Sequence, residues 1–574
     1  MKIRTRKSNL PVLLNGRMIL MLLALLCYNG ASAQDDDDDD PRKSFEKARK
    51  QMHKDYDDFR KQALAEYSEF VRQAWKKFDA EPAVPAPKEE EILPQLAPGA
   101  DQETASWFGK QLEKLGGIFK KKGRKVPETP NPSPLTSNPS PLTSHPSPLT
   151  SNPSPLTSKE TTVQEVIKPE APIKQPEPLA EVKEETFRAN NYMKFEVFGT
   201  ACKVRIGDNC RFKLKDVSSN TVADVIAEEF LKPQYDNMLY DCLQERKRHD
   251  FSDWTYYQML KTLTSQFYGE GTNEAVLTQA FLYSQSGYKM RLAHDEDHLY
   301  MLAATRHFIY NKMFFSLDGE WYFMLDGKQS AQLGICQASF PKESSLSLQI
   351  STAQRLAMNP TNERTIRSTK NPDFSFTIRS NKNYIDFLGT YPSSTVNNNF
   401  MTRWSMYANC PLDENVRKQL YPQMKEKLAG KTELQAVQEL LWFMHGNIDL
   451  EGEIQNPDCF LYRYDEDVWG IDRAFFGEET LFYPYCDCED RSILLSHFVR
   501  EIVGLDVVLV YYPGHLAMAV HFNEPVEGDY VMCEGRKFIV VDPTYIGSRV
   551  GETMPMVANE PTTVILLNRL KQNI

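Results

Sequence analysis

The chain has 574 residues, with 67 Lys or Arg against 78 Asp or Glu, and its formal net charge is −11. This acidic balance argues against general nucleic-acid binding, which needs a basic face, so no nucleic-acid partner is expected. The length predicts about three or four globular units. No run of about 18 apolar residues occurs, so the mature chain is not predicted to span a membrane.

The first 33 residues have the pattern of a secretory signal peptide. Basic residues up to Arg17 precede an apolar run from Met18 to Cys27, and Ala31-Ser32-Ala33 provides a small-x-small cleavage site. The sequence therefore predicts export to the bacterial periplasm, the cell envelope or the medium. An uncleaved anchor is the alternative, but the apolar run is too short for a hydrocarbon layer of about 30 Å.

Cleavage would leave nine of the ten cysteines, which is too sparse for a disulfide scaffold in so long a chain. Cys202 and Cys210 flank a turn signal at residues 206–209, so a cross-hairpin disulfide and two ordinary buried thiols are both open. The histidines show no metal-ligand spacing. Neither a metal nor another cofactor is therefore predicted.

Residues 34–80 are predicted to form an acidic run followed by one long amphipathic helix. Apolar residues recur from Phe45 to Phe78 with about 3.7 residues per turn, the period of a plain α-helix. The helix is predicted over residues 42–79. It cannot bury this stripe alone, so we expect it to dock on another domain or to self-associate; a solvated, marginal helix is the alternative.

Residues 81–185 have the composition of a disordered, Pro-rich linker. A seven-residue unit repeats four times over residues 131–158, and its two prolines favour an extended tether. Residues 106–125 interrupt the linker with an apolar helical face and a basic tail, a pattern typical of contact with a membrane surface.

The sequence from residue 186 onwards predicts an α+β protein with three globular domains. Residues 186–315 combine a β-hairpin with helices and are expected to form an α/β domain. Residues 316–410 show short alternating segments that predict a β-rich domain. Residues 411–574 combine helices with antiparallel strands.

The α/β domain is a candidate for a degenerate copy of the C-terminal core. A shift of 217 residues places Gly504 on Gly287 and His515 on His298, and both windows read helix, glycine, strand, turn, strand. Cys488 falls on a glycine, which has no thiol. A generic helix–strand–strand unit is the alternative, and a different strand order in the two segments would exclude duplication.

Cys488 is predicted to be the first residue of a helix. Asp487 has the position of an N-cap, Asp490 is its partner three residues on, and apolar residues continue at helical spacing to Gly504. The positive end of a helix and its unpaired N–H groups stabilise a thiolate. The same N–H groups can hold an oxyanion during acyl transfer.

A nucleophilic thiol needs a base and a group that orients the base, and His515 and Asp542 are the candidates. His515 begins an alternating strand and Asp542 ends another. If these two residues face each other in an antiparallel pair, Ala517 faces Val540 and residues 523–534 form the connecting loop. The thiol can then converge with them as a catalytic triad.

Cys486 and His521 are the alternatives to this nucleophile and base. Cys486 precedes the helix and lacks its dipole, and His521 lies at the far end of its strand, about 20 Å from the first residue. His497 is expected to be packed or solvent-facing. Trp469 and Tyr485 are candidate oxyanion or pocket-wall groups, although aromatic side chains near a site often belong to the core.

The chain resembles the transglutaminase-like superfamily of papain-related cysteine enzymes in three motifs that occur in order. They are Tyr485-Cys486-Asp487-Cys488-Glu489-Asp490-Arg491-Ser492, then Pro513-Gly514-His515, then Val541-Asp542-Pro543-Thr544. The resemblance covers about residues 413–556. It implies a papain/transglutaminase-like domain over residues 411–574, with Cys488 as nucleophile, His515 as base and Asp542 as the acid that orients the base.

This resemblance implies an exported, cysteine-dependent acyl-transfer enzyme that acts on amide bonds of a protein or peptide. Bacterial members of the superfamily favour hydrolysis, as in a protease or an amidase. A transamidating cross-linker and a non-catalytic envelope scaffold built on the same fold are the alternatives.

Overall fold

Helices and strands alternate along the chain, so the protein has the mixed α+β class that the sequence predicts. The computed structural model describes residues 41–87, 92, 94–97, 158–170, 175–178, 191–338, 343–449, 454 and 457–568. The predicted signal peptide, the predicted membrane-contact segment 106–125 and repeat residues 131–157 lie outside these ranges. Within them, no helix is both long enough and apolar enough to cross a membrane.

The α-helices of the described residues are numbered in chain order. They are α1 Pro41–Gln73, α2 Ser219–Glu228, α3 Pro233–Arg248, α4 Asp253–Tyr268, α5 Asn273–Gln285, α6 Lys382–Gly389, α7 Arg403–Asn409, α8 Glu414–Leu428, α9 Glu433–His445, α10 Asp465–Trp469, α11 Gly477–Phe482 and α12 Cys488–Phe498. A π-helical turn, Val499–Val503, extends α12 to Gly504.

The strands are numbered in the same way. They are β1 Trp75–Asp79, β2 Glu160–Thr161, β3 Val163–Ile167, β4 Tyr192–Val197, β5 Thr200–Arg205, β6 Met290–His294, β7 Leu299–Thr305, β8 His307–Ile309, β9 Phe314–Leu317, β10 Glu320–Met324, β11 Gln332–Cys336, β12 Arg364–Arg367, β13 Ser375–Ile378, β14 Ser394–Val396, β15 Asn447–Ile448, β16 Leu461–Tyr462, β17 Tyr485–Cys486, β18 Asp506–Tyr512, β19 His515–His521, β20 Tyr530–Cys533, β21 Arg536–Val541 and β22 Thr562–Leu566.

The long N-terminal helix ends six residues earlier than the sequence predicts. Helix α1 stops at Gln73, and residues 75–79 form strand β1 instead of continuing the helix. Strand β1 pairs antiparallel with β11, from Trp75 opposite Cys336 to Asp79 opposite Gln332. This long-range pairing provides hydrogen-bond partners for the backbone groups of residues 75–79. The side chains of these residues keep a helical spacing, so the sequence pattern gives no sign of the pairing.

The described residues divide into two units at residues 65/66, and α1 begins in the first and ends in the second. In the second unit, the last two turns of α1 pack on α2. Ser68 donates a 2.6 Å hydrogen bond to the carbonyl of Ala223, and Arg72 pairs with Asp224 at 2.8 Å. Tyr67 is buried but Phe70 is 50% exposed, so the predicted apolar stripe is only partly covered.

A six-stranded antiparallel sheet crosses two of the predicted domain boundaries. Its order is β1-β11-β6-β7-β10-β9. The predicted boundary at residues 315/316 falls inside β9, and β1 comes from the segment predicted to be helical. The separation into an α/β domain and a β-rich domain is therefore wrong at this point, because strand pairing joins residues that lie far apart along the chain.

A seven-stranded sheet carries the C-terminal motifs, and its order is β2-β20-β21-β19-β18-β22-β3. Its edge strands β2 and β3 come from residues 160–167, which the sequence analysis assigned to the disordered linker. Ile167 is 6% exposed and belongs to the hydrophobic core. The linker interpretation is therefore wrong for this segment, whose short strands are stabilised by pairing with β20 and β22.

The two sheets share one strand order. Strands β11-β6-β7-β10-β9 and strands β22-β18-β19-β21-β20 have the same succession in the chain, the same neighbours and antiparallel pairing throughout. Each first strand follows a helix and a glycine with positive φ, Gly287 at 93° and Gly504 at 86°. The duplicated-core hypothesis requires this agreement, and common origin of the two segments stays a prediction.

All nine cysteines of the described residues are buried free thiols. The cross-hairpin disulfide between Cys202 and Cys210 is not formed. Cys202 lies in β5 and Cys210 ends a short 3₁₀ turn, Asp208–Cys210, beyond the hairpin. Of the two alternatives, the structure therefore has the ordinary buried thiols.

The observed role of β3 can be tested by comparing Ile167→Ala with Val166→Ala. Ile167 fills the core, whereas Val166 is 38% exposed. We expect Ile167→Ala to lower the free energy of unfolding by about 2–4 kcal/mol, and Val166→Ala to change it by about 0.5 kcal/mol or less. Urea unfolding of the full chain measures both. Equal, small effects would mean that residues 160–167 do not belong to the folded sheet.

Candidate active site

Cys488 occupies the first position of helix α12, as the sequence predicts. Asp487 is the N-cap, and its side chain accepts a 3.4 Å hydrogen bond from the Asp490 N–H. The Asp490 carboxylate accepts one at 3.3 Å from the Asp487 N–H, which completes a reciprocal capping box. The thiol therefore lies at the positive end of a well-capped helix, where a thiolate is stabilised.

His515 and Asp542 form a buried hydrogen-bonded pair. His515 Nε2 lies 2.8 Å from Asp542 Oδ2, and each residue is 1% exposed. The other carboxylate oxygen, Oδ1, accepts main-chain N–H bonds from Thr544 at 2.9 Å and Tyr545 at 3.2 Å. The carboxylate is thus fixed on both sides and orients the imidazole ring through Nε2.

The second ring nitrogen of His515 is available for proton transfer. Nδ1 is buried and has no hydrogen-bond partner among the described residues. His515 and Cys488 line the same small cavity, together with Arg403, Trp404, Asp472, Glu489, Tyr511, Gly514 and Leu516. The structure therefore brings the predicted nucleophile, base and orienting acid into one site.

The strand register at this site differs from the predicted one by two residues. We expected Ala517 opposite Val540, but Ala519 faces Val540 and Met518 faces Val541. The predicted connecting loop, residues 523–534, contains strand β20, which pairs with β21. Side chains alternate between the two faces of a strand with a period of two, so the two-residue slip leaves His515 and Asp542 on one face.

Two residues of α12 hold the triad together, and the sequence analysis gave neither a role. Ser492 Oγ donates a 2.9 Å hydrogen bond to the carbonyl of Leu516, the neighbour of His515. Arg491 Nη1 donates to the carbonyls of Pro543, next to Asp542, at 3.4 Å and of His445 at 2.7 Å. Their place within the Cys488 motif, directly before the apolar run Ile493-Leu494-Leu495, is the signal that could have revealed them.

An ionic cluster lies beside the thiol. Cys488 Sγ is 3.6 Å from Glu489 Oε2, and Arg403 reaches Glu489 at 3.4 Å and Asp472 at 3.7 Å. Burial raises the pKa of Glu489 to about 7, with Arg403 opposing this rise and Asp472 adding to it. Helix α7, which carries Arg403 and Trp404, comes from residues predicted to belong to a separate β-rich domain. Its Trp404 and Ala408 share one hydrophobic core with residues beyond 411, so the predicted boundary at residues 410/411 does not separate two cores.

Two groups of side chains at the start of α12 have a spacing that would suit a cation. The first is Asp487, Cys488 and Glu489, and the second is Asp465, Asp487 and Asp490. The oxygens of the second group accept main-chain N–H bonds. Arg473 N donates to Asp465 at 3.1 Å, and Phe475 N donates to Asp490 at 2.7 Å. These carboxylates thus stabilise the backbone of the loops around Cys488.

The alternative site residues lie apart from the triad. Cys486 is buried in β17, 3.6 Å from the carbonyl of Leu461. His521 Nδ1 contacts the carbonyl of Lys537 at 2.9 Å, and His497 Nδ1 contacts Glu501 at 3.1 Å. Trp469 packs against Phe475 and Tyr483, and Tyr485 packs under Arg463. None of these five residues lines the cavity that Cys488 and His515 share.

The six-stranded sheet keeps a histidine at the position that corresponds to His515. Residue pairs of β6 and β7 match those of β18 and β19 with a constant shift of 217, as in Met290 opposite Ala303 and Val507 opposite Val520. This shift places His298 at the position of His515. Asn273 begins α5 as Cys488 begins α12, so the start of that helix lacks a thiol.

Comparison of the chain with protein-family models, with curated proteins and with solved structures gave no match. The interpretation of the site therefore depends on its own geometry and on the motifs described above.

Arg491→Met tests the role of this buried guanidinium. The variant leaves the carbonyls of His445, Asn447 and Pro543 without their donor, so we expect the free energy of unfolding to fall by about 2–4 kcal/mol. Urea unfolding measures the change. The control is Arg379→Met, because the Arg379 side chain is 51% exposed and should change stability by about 0.5 kcal/mol or less. A similar small loss for both variants would contradict this role.

Glu489→Gln tests the ionic cluster through the pH dependence of stability. Between about pH 4.5 and 7 the folded state keeps the Glu489 proton and the unfolded state loses it, so this group costs stability as pH rises through that window. The variant lacks this titration. We expect it to gain on the order of 2–3 kcal/mol relative to wild type between these pH values, measured by urea unfolding at each pH.

Glu478→Gln provides the matched comparison. Burial, with Asp413 nearby, raises the pKa of Glu478 to about 8, so the same relative gain should extend about one pH unit higher. A Glu489→Gln variant whose stability runs parallel to wild type from pH 4.5 to 7 would show that Glu489 is ionised throughout.

Proposed function

We propose that this protein is a cysteine-dependent acyl-transfer enzyme that acts on amide bonds, with Cys488, His515 and Asp542 as its catalytic triad. The observation that carries the proposal is the 2.8 Å bond between His515 Nε2 and Asp542 Oδ2, which leaves Nδ1 for a cavity that Cys488 also lines. A nucleophile at a helix start, a base and an orienting carboxylate are the parts that acyl transfer requires. The same three motifs give the resemblance to the transglutaminase-like superfamily.

In the proposed reaction, His515 Nδ1 accepts the thiol proton of Cys488 while the sulfur attacks the amide carbonyl. The N–H groups at the start of α12 stabilise the oxyanion that develops on the carbonyl oxygen. The tetrahedral intermediate then collapses, the C–N bond breaks, and the imidazolium returns the proton to the departing amine. Asp542 stabilises the imidazolium and keeps the ring in the orientation that proton transfer needs.

The thioester is resolved by a second nucleophile, and we propose that this nucleophile is water. His515 then takes a proton from the water as it attacks, the acid product leaves, and the thiol is restored. A protein amine in place of water would make the protein a transamidating cross-linker. The superfamily resemblance favours hydrolysis. Chemical analysis of the product shows whether water or an amine resolved the thioester.

Access to the site requires its wall to open. Cys488 and His515 are each 1% exposed, and the centre of a water molecule can occupy only about 10 Å³ of their cavity. That volume holds about one water and no peptide. We propose that the substrate displaces Trp404, which stacks on Tyr511 with ring centroids 5.2 Å apart.

The remaining proposals concern location and partners. We propose that residues 1–33 direct export, and that residues 106–125 contact a membrane surface; both segments lie outside the described residues. Helix α1 is the proposed surface for docking or self-association. The reason is that Phe59, in the part of α1 before residue 66, is 49% exposed. A protein or peptide is the proposed substrate.

A non-catalytic scaffold is the second candidate, and the closure of the cavity over Cys488 is the observation that favours it. Reactivity of the thiol separates the two candidates. In an enzyme, iodoacetamide should modify Cys488 at least about tenfold faster than Cys486, its buried neighbour, because the helix start and His515 favour the thiolate. Mass spectrometry of peptides taken during labelling gives both rates from one sample.

Variants of the base and of its partner complete this experiment. His515→Ala should reduce the labelling of Cys488 to the rate of Cys486, and Asp542→Asn should lower amide turnover by about 10²–10⁴-fold. Hydroxylamine release of an acyl group from wild type, but not from Cys488→Ala, would identify the thioester. Equal, slow labelling of every cysteine in wild type would overturn the enzyme proposal and leave the scaffold.

A further inference from the structure

A second cluster of reactive side chains lies outside the proposed catalytic site. It joins Cys202 of strand β5 to Glu245 and His249, which are one turn apart on and just after helix α3. The thiol sulfur, a carboxylate oxygen and an imidazole nitrogen of these residues all lie within 4.8 Å of one another. Cys202 is 2% exposed and Glu245 is 5% exposed, so most of the cluster is shielded from water.

The hydrogen bonds of His249 indicate which ring nitrogen faces the cluster. Its Nδ1 lies 3.3 Å from the carbonyl oxygen of Arg355, which can only accept, so Nδ1 carries the proton. Nε2 then presents a lone pair to Glu245 Oε2 at 3.2 Å. A metal-ligating histidine commonly has this arrangement, with one nitrogen fixed by a carbonyl and the other directed at the ion.

Two acceptor atoms that face each other at 3.2 Å repel, unless a proton or a cation lies between them. Neither Glu245 Oε2 nor His249 Nε2 has a hydrogen-bond partner among the described residues. The other polar contacts nearby are long: Glu245 Oε1 lies 3.7 Å from Arg248 Nη1, and Cys202 Sγ lies 3.7 Å from the carbonyl of Thr200. A proton on His249 Nε2, or a cation bound among the three side chains, would remove this repulsion.

We propose that Cys202, Glu245 and His249 bind a Zn²⁺ ion. One sulfur, one nitrogen and one oxygen are ligands that zinc accepts together. Two ligands about 2.1 Å from a tetrahedral ion lie about 3.4 Å apart, close to the 3.2 Å between Oε2 and Nε2. Binding replaces the proton of the Cys202 thiol, which is released to solvent.

The ion would lie at the interface between two elements of the fold. Zinc would connect the β4–β5 hairpin to α3, an interface that already contains a buried ion pair between Arg205 and Asp241 at 2.7 Å. Three protein ligands leave a fourth position for water, and the His249 side chain, 14% exposed, provides the route from solvent. The sequence analysis predicted no metal because only Glu245 and His249 are close in sequence, and Cys202 joins them through the fold.

The proposal is tested on the full chain, which is stripped of metal with a chelator and then loaded with Zn²⁺ or Co²⁺. We expect one tightly bound Zn²⁺ per chain, a higher melting temperature with zinc, and a thiolate-to-cobalt charge-transfer band with Co²⁺. Cys202→Ser should abolish the band and weaken zinc binding by more than about 100-fold, and His249→Gln should weaken it by at least about tenfold.

Matched variants distinguish this site from other thiols. Cys210→Ser removes another buried thiol of the same region and should keep the band and the zinc stoichiometry. Cys488→Ala should also keep both, so failure of the catalytic proposal does not affect this outcome. Absence of stoichiometric zinc after loading, or a band unchanged in Cys202→Ser, would overturn the site and leave an ion pair between a protonated His249 and Glu245.

Discussion

The attachment of helix α12 to the two strand ends beside it is the constraint on which the proposed site depends. Arg491 and Ser492 follow Cys488 within one turn, and their hydrogen bonds end on the carbonyls of Pro543 and Leu516, the neighbours of Asp542 and His515. A buried guanidinium is costly unless its donors are paired, and here three carbonyls accept hydrogen bonds from Nη1 and Nη2. The helix that carries Cys488 therefore also fixes the segments that carry His515 and Asp542.

Burial has two effects on this site: it strengthens the electrostatic interactions there, and it closes the site to solvent. A dry environment strengthens each electrostatic interaction within it, from the His515–Asp542 pair to the Arg403–Glu489 contact. The same packing leaves room for about one water. Part of the predicted linker also reaches this region, because Ile92 N–H donates a 2.9 Å hydrogen bond to the carbonyl of Gly514. The proposed catalysis would thus require motion of elements that also hold the site together.

A comparison of the two sheets distinguishes what the fold contributes to the candidate site from what the side chains contribute. Both have the same five-strand order, and the register of their paired strands places His298 where the other sheet has His515. The helix before these strands begins with Asn273 in one case and with Cys488 in the other. The fold alone therefore does not make a site, and the thiol at the helix start is what distinguishes the candidate active site.

The sequence by itself determined the features that depend on neighbours in the chain: the capping box at Asp487, the start of α12 at Cys488, and two period-two strands, one that begins at His515 and one that leads to Asp542. It also determined the face of those strands, since an even slip in register keeps alternating side chains on the same side. The tertiary structure alone decided the register itself, the strands formed by residues 160–167, the contribution of Arg403, and the meeting of Cys202 with Glu245 and His249. These depend on contacts between distant segments, whose free energy is gained only when the whole fold closes and leaves no local pattern in the chain.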